Sequence, residues 1–192
     1  MLSFLLPRLA RVAQWIRAFA SGAKGRRFDP CRGYHLLPNP PAITMERLTN
    51  LKRQEPASTI LLVEDFDDTR LMMKMWLMKK GYRVIEAETG EEAITIAKRE
   101  HPDLIIMDMM MPGMNGLDAT HQIRQYQSLR RTPIVAVSAY GADEYRRIAI
   151  EAGCDEYVST PFEPRELAEL IRSLLASKNS SELYAEQSHP DR

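Results

Sequence analysis

The sequence predicts an α/β domain whose parallel sheet is covered by helices on both faces, and three observations carry that prediction. Five short apolar runs alternate with helical patterns between Ser58 and Ala176. The runs are continuously apolar, as strands buried on both sides require. Two of them stop on carboxylates, Ile60-Leu61-Leu62-Val63 on Glu64 and Asp65, and Leu104-Ile105-Ile106-Met107 on Asp108.

Ile60–Val63 is the first strand. Asp67 or Asp68 is placed to cap a helix in which Leu71, Met72, Met75 and Met78 recur at three- and four-residue steps, ending near Gly81. Tyr82–Ile85 forms a short second strand. Thr89 with Glu92 makes a capping box for a helix that buries Ala93, Ile96 and Ala97 and closes before Pro102. Leu104–Met107 is the third strand, and the turn residues Pro112, Gly113, Asn115 and Gly116 follow it. Ala119, Ile123 and Tyr126 mark the third helix, and Ile134–Val137 the fourth strand. Asp143 caps a helix carrying Ile148, Ala149 and Ala152, stopped by Gly153. Tyr157-Val158 is the fifth strand. Pro164, suited to a first helical turn, opens a last helix with Leu167, Leu170, Ile171 and Leu174 inward. Nine methionines (72, 73, 75, 78, 107, 109, 110, 111 and 114) are expected as core and loop filler, and His101 and His121 as structural or surface residues.

A domain of this size takes the flavodoxin-like strand order 2-1-3-4-5, a doubly wound five-stranded parallel sheet with its ligand site beyond the carboxyl ends of the strands. The expected organisation is a basic leader over 1–57, a folded domain over 58–177 and a polar flexible tail over 178–192.

Of the 192 residues, 44% are hydrophobic, enough for a core, and the formal charge is zero but unevenly placed. Before Ser58 ten basic residues face three acidic ones, so the leader carries +7 and the remainder −7. An acidic body argues against nucleic acid as the domain's own partner. In the leader, Leu2, Leu5, Leu9, Val12, Ile16 and Phe19 form an amphipathic stripe, weakened by Pro7, that suits an anionic membrane surface. The preferred reading is a disordered or misassigned leader, with Met45 as a candidate start. Cys31 and Cys154 lack ligand spacing and fit a reducing, cytoplasmic setting. No apolar stretch reaches the roughly 20 residues of a membrane span.

In the expected order strands one and three are neighbours, so Glu64, Asp65 and Asp108 converge. At an effective dielectric near 20, each close carboxylate pair costs about 4 kcal/mol. A hard divalent cation relieves that repulsion. Mg²⁺ takes carboxylates, carbonyls, waters and phosphate oxygens, which assigns Asp65 and Asp108 as side-chain ligands, the Met110 carbonyl as a third and Glu64 mainly through water. Asp108 is also a candidate nucleophile toward phosphoryl. Ser138, after the fourth strand, can donate to a phosphoryl oxygen. Tyr157 reads either as a half-buried core residue or as an aromatic that moves when Ser138 moves. The bland alternative, acids ending strands in solvent, is ordinary for one strand tip and less so for two adjacent ones.

Together these residues resemble the receiver domain of two-component response regulators, from about Ser58 to Ala176. The motifs are Leu62-Val63-Glu64-Asp65, Asp108-Met109-Met110-Met111-Pro112-Gly113-Met114-Asn115-Gly116, Val137-Ser138-Ala139, and Tyr157 ahead of Thr160-Pro161-Phe162. The resemblance implies that Asp108 accepts phosphoryl from a histidine kinase or phosphotransfer histidine, and that Glu64 and Asp65 hold Mg²⁺. It implies that Ser138 senses the phosphoryl group and Tyr157 rotates with it. The fourth helix, fifth strand and fifth helix would then present a changed face to a downstream protein.

One departure stands out: the family's lysine before the loop proline is Thr160 here. Lysine pairs with the acceptor carboxylate as a compact charge, whereas threonine offers a hydroxyl, so phosphorylation and loop movement are expected to be loosely coupled. Met110 and Tyr140, two residues after Asp108 and Ser138, are expected to shield the acyl phosphate and slow its hydrolysis. The leading expectation is a stand-alone phosphoacceptor. Its main rival is a degenerate receiver serving unphosphorylated as an interaction module. A phosphohydrolase would want a second carboxylate where Met110 stands.

Overall fold

The computed structural model describes residues 58–139 and 143–187, with side chains to 178. The leader, Tyr140 and the last five residues of the tail lie outside the described residues. The chain runs β1 (Thr59–Val63), α1 (Asp67–Lys79), β2 (Arg83–Ala87), α2 (Gly90–Glu100), β3 (Leu104–Asp108), α3 (Gly116–Gln125), a 3₁₀ turn (Gln127–Leu129), β4 (Ile134–Ser138), α4 (Asp143–Glu151), β5 (Glu156–Ser159) and α5 (Pro164–Gln187). All neighbouring strands are parallel, in the order β2-β1-β3-β4-β5. This is the flavodoxin-like architecture that the pattern of elements predicts.

The period-2 pleat divides the apolar runs between two cores. Leu61, Val63, Ile105, Met107, Ile134 and Ala136 pack with Ala93, Ala97, Ala119, Ile123 and Ala149 of α2, α3 and α4. Ile60, Leu62, Leu104, Ile106, Val135 and Val137 pack with α1 and α5 through Met73, Trp76, Leu77, Leu167 and Ile171. Central β3 is buried along its whole length, which holds its terminal aspartate rigidly.

α1 departs from expectation in phase. Its buried residues are Thr69, Arg70, Met73, Trp76 and Leu77, while Leu71, Met75 and Met78 are 54%, 63% and 55% exposed. Two stripes of the same helical period share this helix, and the one carrying the bulky Trp76 and Leu77 wins the core. Met75 and Met78 are therefore not core filler. The N-cap is Phe66 rather than Asp67 or Asp68, which lie in the first turn, where negative charge suits the helix dipole. Asp143 likewise is the first residue of α4.

At α2 the expected cap forms in part. Thr89 accepts from the Glu92 amide at 3.2 Å, but Glu92 reaches the Glu88 amide at 2.8 Å rather than that of Thr89. α5 buries Leu167 and Ile171 as expected, and also Leu175. It continues to Gln187, where the sequence reading ends the domain at 177. The extension contains Glu182, Leu183, Ala185, Glu186 and Gln187, with no glycine or proline before Pro190, a composition that sustains a helix.

Candidate functional site

β1 and β3 lie side by side with Val63 opposite Met107, so the residues that follow each strand meet at the same edge. Carboxylate oxygens of Glu64, Asp65 and Asp108 lie within 4.8 Å of one another, the one such group of potential metal ligands among the described residues. Glu64 and Asp108 are buried and Asp65 is half-buried. Asp108 Oδ1 accepts from the Met110 amide at 3.0 Å, and Glu64 Oε1 from the Phe66 amide at 3.3 Å. Asp65 Oδ1 and Asp108 Oδ2 are enclosed oxygens that accept no hydrogen bond. Hard oxygen donors drawn this close, from rigid strand ends, suit a small divalent cation such as Mg²⁺.

The loop after β3 turns back beside the buried Asp108. Met109 donates its amide to Val137 O at 3.1 Å, which keeps β3 paired with β4 one residue past Asp108. The chain then returns, and Gly116 donates to Met109 O at 3.3 Å. A Cβ on Gly116 would stand 2.2 Å from the Asp108 carbonyl oxygen. Only glycine permits that approach. Asn115 caps α3 by accepting from the Asp118 amide at 2.9 Å.

Ser138 ends β4 and is buried, with Val137 opposite Asp108 in the β3–β4 register. Its carbonyl accepts the Thr160 amide at 2.7 Å and the Thr160 hydroxyl at 3.3 Å. Thr160 is thus bonded to the β4 backbone. Tyr157 is buried in the α2–α4 core and borders a surface pocket of about 260 Å³ with Ser159, Pro161, Phe162 and Leu170. Met110 is half-buried beside Asp108.

Sequence reasoning overlooked Arg70. This buried arginine of α1 donates to the Glu64 carbonyl at 2.8 Å, to Asp67 at 2.5 Å and to Glu88 at 2.8 Å. The one available signal, Asp67 three residues before it, reads equally as a solvated helix pair.

Comparison with known proteins agrees with this geometry. A family profile described as the response regulator receiver domain matches residues 60–172. The transcriptional regulatory protein ResD of Bacillus subtilis (strain 168) is 35% identical over 131 residues, 68% of this chain and 53% of the relative. The probable transcriptional regulator ycf27 of Cyanophora paradoxa is 40% identical over 116 residues, 60% of this chain and 47% of the relative. The chain therefore spans about half the length of these curated relatives. Among solved structures, a putative response regulator from Chloroflexus aurantiacus J-10-fl superposes with a TM-score of 0.60 at 33% identity, covering 62% of this chain and 98% of that one. The receiver domain of sensor histidine kinase PA1611 from Pseudomonas aeruginosa PAO1 gives 0.59 at 32%, covering 62% and 98%, and carries a magnesium ion in its active-site cleft.

Proposed function

Because the chain belongs to the response regulator receiver family, we propose that it is a phosphoacceptor signalling domain in which Asp108 takes a phosphoryl group from a histidine kinase or histidine phosphotransfer protein. The observation that carries this reading is the convergence of Glu64, Asp65 and Asp108 within 4.8 Å. A carboxylate oxygen of Asp108 attacks phosphorus. The P–O bond forms as the P–N bond to the donor imidazole breaks, and the imidazole leaves with the bonding pair and takes a proton from water. Glu64, Asp65, Asp108 and the Met110 carbonyl would hold Mg²⁺, which when bound offsets charge on the transferring oxygens. The Ser138 hydroxyl donates to a phosphoryl oxygen, and Tyr157 reports the change toward the α4–β5–α5 face, where a downstream protein docks.

The domain is proposed to span 58–177, after a basic leader, with α5 running on into the polar tail as far as Gln187. It acts as a substrate that assists its own phosphorylation rather than as a turnover enzyme. No described helix is long and apolar enough to cross a membrane, and a cytoplasmic setting suits a kinase partner. The acidic charge argues only that this domain's own surface is a poor match for nucleic acid. Two curated relatives are transcriptional regulators, so nucleic acid stays among the partners of longer proteins of this kind.

A second reading has an observation in its favour. Thr160 stands where the family has lysine, and its hydroxyl is engaged by Ser138 O, which suits a domain used without phosphorylation as an interaction module. One experiment separates the two. Incubation with Mg²⁺ and a small phosphodonor, followed by intact-mass measurement, is expected to add one phosphoryl group to the wild type and none to Asp108→Ala. Equal masses for both would leave the unphosphorylated module as the function.

A further inference from the structure

Arg70 is a cation buried at 8% exposure, one turn into α1. A buried charge persists only when its donors are matched, and here they are. Nη1 takes the Glu64 carbonyl at 2.8 Å, Nη2 takes Asp67 and Glu88 at 2.5 and 2.8 Å, and Nε lies 3.7 Å from Glu86 Oε1. Glu86 is shared with Lys74. The fork therefore ties the loop after β1 to the end of β2 and the loop beyond it.

The carbonyl it holds belongs to the peptide between Glu64 and Asp65, the two neighbouring acids of the pocket. Rotation of that peptide would swing the Cα–Cβ bond of Asp65 and carry its carboxylate away from Asp108. The Phe66 amide closes the same turn on Glu64 Oε1 at 3.3 Å. Arg70 also engages three further carboxylates, Asp67, Glu86 and Glu88, which would otherwise add repulsion near the pocket or compete for a cation. A planar guanidinium can grip a carbonyl and carboxylates at once, whereas an ammonium has no fixed fork.

We propose that Arg70 is the positioning residue of the acid pocket, holding the Glu64–Asp65 peptide so that both side chains face Asp108 before any cation arrives. This rests on the phosphoacceptor reading and deepens it. Partners of this outer kind typically carry 10- to 100-fold in metal affinity, so a tenfold effect is expected.

The test titrates the full chain with Mg²⁺ alone by calorimetry and follows folding by urea denaturation. Arg70→Met is expected to bind Mg²⁺ about tenfold more weakly, and Arg70→Lys nearly as weakly because charge without the fork does not suffice. With a small phosphodonor, the Mg²⁺ concentration at half-maximal rate should rise about tenfold while the rate at saturating Mg²⁺ stays unchanged. Wild-type affinity in Arg70→Met, full rescue by lysine, or a loss confined to the saturated rate would each overturn the proposal. Should Arg70→Met fail to fold, Glu88→Gln removes one exposed anchor and is expected to weaken Mg²⁺ binding about two- to threefold; unchanged affinity there also overturns it. Wild type binding Mg²⁺ no better than Asp108→Asn would instead sink the phosphoacceptor reading itself, so the two failures stay distinguishable.

Discussion

Thr160 grips Ser138 twice, amide to carbonyl at 2.7 Å and hydroxyl to the same carbonyl at 3.3 Å. The β5–α5 loop is thereby fastened to the end of β4 by neutral bonds. The family resemblance implies a lysine at this position, which would reach the Asp108 carboxylate as a charge. A charge-assisted bond is worth roughly 1.5–3 kcal/mol, or about 10- to 150-fold in the coupling between phosphorylation and loop position. Thr160→Lys is therefore expected to enlarge the beryllofluoride-induced shift of the Tyr157 resonances in NMR spectra. An unaltered response would show that coupling runs through Ser138 alone.

Gly116 supplies a second, steric constraint. The 2.2 Å separation between a Cβ there and the Asp108 carbonyl cannot be relieved by a side-chain rotation, since both sides are backbone. Gly116→Ala should cost about 1–3 kcal/mol and displace the loop that carries Met110. Urea denaturation measures the first effect, and Mg²⁺ titration of the folded variant the second. Wild-type values in both would mean that the loop is looser than its packing implies.

The strand order and the acid convergence were legible because both follow from strong, local signals: continuous apolar runs and the residues that end them. Phase was not legible in α1, where Leu71, Met72, Met75 and Met78 repeat with the same spacing as Thr69, Met73 and Trp76. Periodicity fixes spacing, and the sheet decides which stripe it accepts. Arg70 escaped for a related reason. Its partners Glu86 and Glu88 are 16 and 18 residues away in sequence, and only the parallel pairing of β1 with β2 brings them together. The bond from Thr160 to the Ser138 carbonyl depends on β4–β5 pairing in the same way.

Cys154 offers a test of the core that does not involve the acid pocket. Burial pushes its thiol up to about 11, against a weaker opposing pull from its hydrogen bond with Thr120 at 3.7 Å. At pH 8 about one thiol in a thousand is then ionised, and alkylation of the folded protein at Cys154 should be slow until denaturant is added. Peptide mass mapping resolves this site from Cys31. The sign for stability follows from the neutral thiol being favoured in the fold. The contribution is present below the unfolded thiol's range near 9 and is lost as pH rises toward 11. Rapid alkylation without denaturant would place Cys154 in an opening segment.

The exposed stripe of α1 bears on how the phosphodonor approaches. Leu71, Met75 and Met78 lie at helical spacing on one line, on the helix that begins two residues after Asp65. On the phosphoacceptor reading of the proposed function, an apolar helical surface of the histidine-bearing donor laid along that line would sit on the helix that follows Asp65. Met75→Glu is a surface change and should alter stability by no more than about 0.5 kcal/mol. It is expected to slow phosphorylation by the protein donor about tenfold, the size of a modest interface anchor, while leaving phosphorylation by a small donor unchanged. If both donors slow together, the stripe acts on the acid pocket and not on docking. If neither slows, the donor approaches over another face.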